Sequence, residues 1–328
     1  MRTYTSILSS EIISFLTVRQ ASEGKSAYAH DEQTLKLLDL YLCGIDCNSK
    51  ELNEQQVTGW VDSLTGKTSS IANKVIIVRK FFHYLSGCGI KTFIPGVPKV
   101  HDDYVPYIFS DEELCRILSH ADSLQPGKGN VKYTMLHMQM PMILRMMYGC
   151  GLRIGETLAL KMCDIDLDTG LLTLRHPKGD KERIVPMHHS LTAILEKYCC
   201  ASGIIGKPET FLFGRPDNNG NGSISAARHR FDRILEMSGI SLPGRKKHER
   251  GPCLHCLRHV FAFKSFAKAE KMGIRIDNAI PYLSIYLGHD SLEETEKYLK
   301  FSAEMFPDAL TRFETFTSDI FPEVDYEE

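Results

Sequence analysis

Apolar residues recur over the first ninety positions at helical spacing. In 5–18, Ile7, Ile12, Ile13 and Leu16 share one face, with a second cluster at Phe15 and Val18. In 34–43, Leu35, Leu37, Leu38, Leu40, Tyr41 and Leu42 form another helix-like run. Residues 69–86 repeat apolar positions every three or four, with Lys74, Arg79 and Lys80 between them, and Gly87 and Gly89 stop that helix. From 91 to 108 (KTFIPGVPKVHDDYVPYI) the period disappears and three prolines mark a linker between domains. Ser110, followed by Asp111, Glu112 and Glu113, then opens a new helix with Glu113 in the capping-box position.

In the second half, 134–149 (TMLHMQMPMILRMMYG) is apolar nearly all round, the pattern of a buried core helix. Pro141 should kink that helix or mark its true start. A short helix fits 154–161. Leu171–Leu174 and Arg183–Val185 are β-like runs joined by a Gly179-Asp180 turn. Helical patterns resume at 189–200, 224–238, 256–271, 279–287 and 291–300. The pattern predicts a mainly α protein with a small β-sheet. Its parts are a helical domain over 1–95, a linker over 96–109, a second domain over 110–300 and a tail over 301–328.

Composition adds limits. The chain has 328 residues, 43% of them apolar, enough for two sizeable cores. Ten cysteines without a framework read as reduced, buried thiols of a cytosolic protein. The N-terminal stretch lacks an uninterrupted apolar core and a small-residue cleavage site, so no signal peptide is expected. No apolar run approaches the roughly 18–20 residues of a membrane span. With 39 Lys+Arg against 41 Asp+Glu, the net charge of −2 first argues against a nucleic-acid binder. Its distribution reverses that argument. Residues 301–328 hold one basic and eight acidic residues, so residues 1–300 carry net +5. That excess is modest and predicts clustered cations with salt-sensitive binding, not a uniformly basic surface.

Five segments of the second domain place a cation, imidazole or phenol beside a turn or helix end. In Gly149–Glu156, Arg153 follows a Gly-rich break at a helix N-terminus, where a guanidinium and free N–H groups can face a phosphate. In Arg175–Arg183, four cations crowd a hairpin tip that can place an ammonium at a phosphate. In His255–His259, His255 and Arg258 share one helical face and can clamp a phosphate and move a proton. In Leu287–Asp290, His289 follows a helix stop, and Tyr298 lies nine residues later on the next helix. Each segment also has a plainer reading: a solvated arginine, a charged turn, a capping histidine, a core tyrosine. Cys253, His255, Cys256 and His259 suggest zinc, but no second ligand pair stands at suitable spacing, so no metal is assigned.

Taken in order, these blocks resemble the tyrosine recombinase (phage-integrase) family. The family pattern reads here as G-L-R-I-G-E at 151–156, K-G-D-K-E-R at 178–183, H-C-L-R-H at 255–259, L-G-H at 287–289 and Tyr298. The resemblance is close over 110–300 and holds only in outline over 1–90, where it implies a helical, SAM-like core-binding domain ahead of a tyrosine-recombinase catalytic domain. The 31 residues from Arg258 to His289 exceed the common short form and resemble the longer version of some transposon-borne recombinases.

The resemblance implies a site-specific recombinase that cleaves and rejoins DNA through a 3′-phosphotyrosyl intermediate, in integration, excision or transposition of a mobile element. It implies no cofactor and no metal. Tyr298 would be the nucleophile. A phenol of pKa about 10 is weak near neutrality and needs neighbouring cations or a proton acceptor. Arg153 and Arg258 would bind the non-bridging oxygens and Lys178 would protonate the 5′-oxygen, although Lys181 stands three residues away on the same hairpin. His255 would manage the tyrosine proton, His289 would hydrogen-bond a phosphate oxygen, and Glu156 would orient neighbours. Candidate DNA contacts are Lys74, Arg79, Lys80, Lys181, Arg183, Arg228, Arg230, Arg233, Arg245, Lys246 and Lys247. Partners would be double-stranded DNA with paired recombination sites, clamped between the two domains, and sister recombinases or directionality factors. The chain would be a monomer when free and a homotetramer on DNA, with an apolar face near 304–316 (Phe306, Leu310, Phe313) docking on a neighbour or folding back in cis. It would work in the cytoplasm, with the bacterial nucleoid. Two rival readings are a topoisomerase IB-like DNA relaxer and an accessory DNA-binding protein whose catalysis is unused.

Overall fold

The computed structural model describes residues 3–22, 25–100, 106–125, 136–175, 182–215, 220–240, 251–289 and 291–296. The chain divides into two compact units, Met1–Tyr104 and Val105–Glu328. Among the described residues the secondary structure is helical apart from one three-stranded sheet.

The first unit is four helices: α1 (Ser9–Ser22), α2 (Lys25–Gly44), α3 (Glu54–Ser63) and α4 (Thr68–Gly87). Its core is Leu8, Ile12 and Leu16 of the first helix and its lead-in, packed with Leu35, Leu38, Leu42, Trp60, Val78, Phe81 and Phe82. This corrects the expected face of α1. Ile7 and Ile13 point to solvent, and Leu8, Ile12, Phe15 and Leu16 are the buried set. The reason is the i, i+4, i+8 stripe that starts at Leu8, which can meet α2 and α4 together. Asp39 is buried and accepts from the Thr5 and Ser6 N–H groups and the Lys36 ammonium, fixing the chain's entry into α1. The apolar pattern alone did not reveal α3, which has only Val57 and Trp60 inside. Its signal is a capping box, Asn53 with Gln56.

The second unit begins with α5 (Asp111–Asp122), capped by Ser110 and Glu113 as the sequence predicts. Next comes α6 (Leu136–Cys150), whose Met140, Met142, Ile143, Leu144, Met146 and Met147 are all buried. Each such side chain contributes roughly 1.5–3 kcal/mol of burial, which makes α6 the central element. Helix α6 starts five residues before Pro141 and runs through it, so Pro141 does not mark the start. At the sixth position Pro141 lies past the first turn and removes one i→i−4 backbone hydrogen bond. Its own carbonyl still receives the Arg145 guanidinium, which also forks onto Asp122 of α5 at 2.7 Å through each arm.

The short α7 (Ile154–Ala159) and a 3-10 turn (Met162–Asp164) lead to the sheet. Its strands β1 (Ile165–Asp166), β2 (Leu171–Leu174) and β3 (Arg183–Pro186) are antiparallel in that order. The β2–β3 register runs from Leu171 opposite Pro186 to Leu174 opposite Arg183, so Arg183 closes the ladder beside the hairpin connection. After it come α8 (His189–Ala201), α9 (Ile224–Met237), α10 (Leu254–Lys271), α11 (Ile276–Leu287) and α12 (Leu292–Glu296). Helix α10 packs on α6 in the main core, and Lys264 of α10 donates to Asp111 of α5 and, at 2.9 Å, to the Tyr148 hydroxyl of α6. Phe261 of α10 stacks on Tyr286 of α11 at 5.3 Å.

The ten cysteines are all free, but the expectation of buried thiols is corrected: six are exposed and only Cys150, Cys199 and Cys256 are buried. Helix surfaces tolerate a small thiol, and nothing in these sequence windows distinguishes the two cases. Among the described residues no helix is long and apolar enough to cross a membrane.

Candidate active site

Three chain breaks converge in the second unit: the turn before α7, the start of β3 and the end of α11. Arg153 caps the N-terminus of α7. Glu156, one turn on, accepts from the Arg153 backbone N–H at 2.9 Å and from its Nη1 at 3.0 Å. Arg183 comes from β3 and forks onto both oxygens of the same carboxylate, at 3.1 and 2.8 Å. Its Nε–H goes to the Tyr286 carbonyl of α11 at 3.0 Å. Arg258, fully buried on α10, stands 4.0 Å from the Glu156 carboxylate. One acid thus holds three arginines from three elements.

The end of α11 supplies the opposite wall. Gly288 takes the left-handed conformation (φ 64°), and an added Cβ would lie 2.5 Å from the Arg183 guanidinium. Only glycine fits both demands, because L side chains rarely adopt that backbone and the guanidinium is pinned by Glu156. The turn exposes two carbonyls. Arg153 Nη1 donates to Gly288 at 3.0 Å, and Arg258 Nη2 donates to Leu287 at 2.8 Å. Arg258 Nη1 donates to the Gly151 carbonyl at 2.7 Å, so the Gly-rich break and the α11 stop grip one guanidinium. Gly151 is also left-handed (φ 61°), and a Cβ there would sit 2.5 Å from the Phe261 ring.

His289 follows directly. Arg258 Nη2 lies 2.9 Å from His289 Nε2, and arginine can only donate, so Nε2 accepts. The proton then sits on Nδ1, which donates to Thr295 Oγ1 of α12 at 2.6 Å. Burial, then the charges of Arg258, Arg153 and Arg183, push the imidazole down to about 3. His289 is therefore neutral near physiological pH. Burial alone would raise the Glu156 carboxyl, but hydrogen bonds and charge from Arg183, the Arg153 N–H and the Arg258 charge outweigh it and hold it at about 2.

Of the residues singled out in the sequence, Arg153, Glu156, Arg258 and His289 are brought together. His255 lies on the exposed side of the first turn of α10, edge-on to His259 with rings 4.6 Å apart. Arg183, expected among the DNA contacts, belongs to this cluster. Its side chain is 11% exposed and three of its donors serve Glu156 and Tyr286, a positioning geometry. The Arg79 guanidinium donates to the Pro95 carbonyl. Lys80 is exposed and Lys74 half-buried on α4. On α9, Arg228 and Arg233 are exposed and Arg230 is half-buried. Lys178, Lys181, Arg245, Lys246, Lys247, Tyr298 and the 301–328 tail lie outside the described residues. Among the described residues no group of three or more His, Cys, Asp or Glu side chains could hold a metal ion.

The sequence reasoning missed Thr295, which is fully buried and fixes the His289 tautomer. The His289 Nδ1 proton should stay in place from about pH 5 to about pH 8, visible in nitrogen-15 NMR of the ring. Thr295→Val should strand that proton and cost about 1–3 kcal/mol in denaturant unfolding.

Comparison with known proteins identifies relatives of this chain. The phage integrase family matches residues 109–305. A Sinorhizobium fredii protein named as an integrase/recombinase, y4rB, is 30% identical over 257 residues, covering 74% of this chain and 77% of its own. Tyrosine recombinase XerA of Pyrococcus horikoshii is 24% identical over 319 residues, 95% of this chain and 96% of its own. In fold, the chain is similar to the XerH site-specific recombinase in its post-cleavage complex with difH substrate. The TM-score is 0.65 at 18% identity, covering 90% of this chain and 82% of that one.

Proposed function

The chain belongs to the phage integrase family of tyrosine recombinases, and from that membership we propose that it cuts, exchanges and rejoins DNA strands at specific sites through a covalent tyrosyl link. The observation that carries the reading is the preformed cluster: Arg153 and Arg258 anchored side by side on the Gly151, Leu287 and Gly288 carbonyls, with Glu156 and Arg183 behind them. A scissile phosphate would take its place against these guanidiniums.

The Tyr298 oxygen attacks phosphorus, and the bond from phosphorus to the 5′-oxygen breaks. His255 takes the phenolic proton, and Lys178 delivers a proton to the departing 5′-oxygen. Charge grows on the non-bridging oxygens, where fixed guanidiniums stabilise it more than water would. Arg153 keeps a third of its side chain exposed and is suited to receive the phosphate directly. His289 aims Arg258 through its Nε2 lone pair. The 3′-phosphotyrosyl bond conserves the energy of the broken one, so the reverse attack by a 5′-hydroxyl rejoins strands.

The partner is double-stranded DNA with paired sites, engaged by a tetramer, and the element moved is a mobile one. Exposed Lys80, Arg228 and Arg233 are candidate phosphate contacts. The acidic 301–328 segment, with one basic and eight acidic residues, would be repelled by DNA. A nicked suicide substrate of the chain's own site, in the presence of EDTA, should trap a covalent adduct. Tyr298→Phe should trap none, and an undiminished adduct with Tyr298→Phe would remove the nucleophile assignment.

A further inference from the structure

The sulfurs of Cys253 and Cys256 lie 3.6 Å apart at the first turn of α10, within the helix that carries His255 and Arg258. The two differ in setting. Cys253 is the exposed N-cap of α10, and Cys256 is buried in the main core. A hydrogen bond with Cys256 lowers the Cys253 thiol, aided by the His255 and Cys256 N–H groups and by Arg228 against the cost of burial. The same hydrogen bond, with burial, raises Cys256. An exposed, thiolate-leaning sulfur beside a buried resolving thiol is the arrangement that reacts with disulfides.

We propose that Cys253 and Cys256 form a redox-active dithiol that takes low-molecular-weight disulfides such as glutathione disulfide, and that closing it displaces His255 and silences the active site. The Cys253 thiolate attacks one sulfur of the small disulfide, forming a mixed disulfide and expelling a thiolate. The Cys256 thiol then loses its proton and attacks Cys253 Sγ, and the second thiolate leaves with that proton as a thiol. The protein pair is oxidised by two electrons and the small disulfide is reduced to two thiols. Closure brings the sulfurs from 3.6 Å to about 2.05 Å. Cys256 is held by the core, so the movement falls on Cys253. His255, lying between the two cysteines, moves with that turn. The loss of activity rests on the recombinase reading; the thiol chemistry does not.

The test uses the full chain, reduced or equilibrated with glutathione disulfide, and three readouts. Peptide mapping should find a Cys253–Cys256 link, the His255 ring resonances should shift, and the rate of adduct formation on a suicide substrate should fall about 10²-fold, as an ångström-scale misplacement does. Dithiothreitol should restore all three. Cys253→Ser keeps a good N-cap and should form adduct at the wild-type rate in either condition. Absence of the Cys253–Cys256 link, or a link that leaves the His255 resonances or the adduct rate unchanged, overturns the proposal. Failure of the reduced wild type to form any adduct overturns the recombinase reading instead, and mapping and resonances still decide the dithiol.

Discussion

Replacing Glu156 by alanine is expected to cost about 3–5 kcal/mol, the range for removing one partner of a buried ion pair and stranding the other charge. The side chain is 10% exposed and holds Arg153 and Arg183 by hydrogen bonds, with Arg258 at 4.0 Å. Without it three positive charges face one another across a partly dry pocket. A domain has only about 5–15 kcal/mol to lose. The measurement has an internal control. Trp60, the chain's single tryptophan, is buried in the first unit's own core, so its fluorescence follows that unit. Denaturant unfolding by circular dichroism should lose stability in the second unit while the Trp60 transition stays in place.

Acid should produce the same effect gradually. Glu156 sits at about 2 when folded against an ordinary 4.5. A carboxyl lowered by folding contributes stability that is fully present above pH 4.5 and is lost as pH falls toward 2. The gap corresponds to about 3 kcal/mol. Glu156→Gln should remove this acid sensitivity, because the amide has no charge to lose.

Arg258→Lys is expected to slow adduct formation by about 10²–10³-fold, the range for losing one well-placed charge stabiliser. Arg258 meets three acceptors with two nitrogens of one plane: the Gly151 carbonyl, the Leu287 carbonyl and His289 Nε2. A lysine ammonium is a compact point donor and cannot bridge them. One carbonyl is stranded, at about 1–3 kcal/mol of stability. Arg153→Lys provides the contrast. Arg153 is a third exposed, so its loss should slow the reaction comparably with a smaller effect on stability. Single-turnover rates and denaturant midpoints, measured together, separate the two arginines.

Much of this site is legible in the sequence. Arg153, Arg258 and His289 lie in short blocks whose order carries meaning, and Glu156 follows Arg153 by one helical turn. What stayed hidden is what depends on distance along the chain. The Arg183 fork onto Glu156 joins residues 27 apart, and Arg258 reaches a carbonyl 107 residues away. Backbone carbonyls carry no residue label, so the Gly151, Leu287 and Gly288 acceptors had no sequence signal. A charge-rich hairpin reads as a DNA finger throughout, yet the register places Arg183 at its base, facing a carboxylate. Thr295 is an ordinary helix residue until α12 lies against His289. In the first unit, period alone put Ile7 and Ile13 with Ile12 and Leu16 on the buried face of α1, and packing against α2 and α4 selected the stripe through Leu8 instead.

The central claim is that DNA is held on one tyrosine, Tyr298, and peptide mapping by mass spectrometry of the trapped adduct tests it most directly. The account predicts a 3′-phosphonucleotide on the peptide containing Tyr298 and on no other. Attachment at Tyr282, Tyr286 or any residue other than Tyr298 would contradict it.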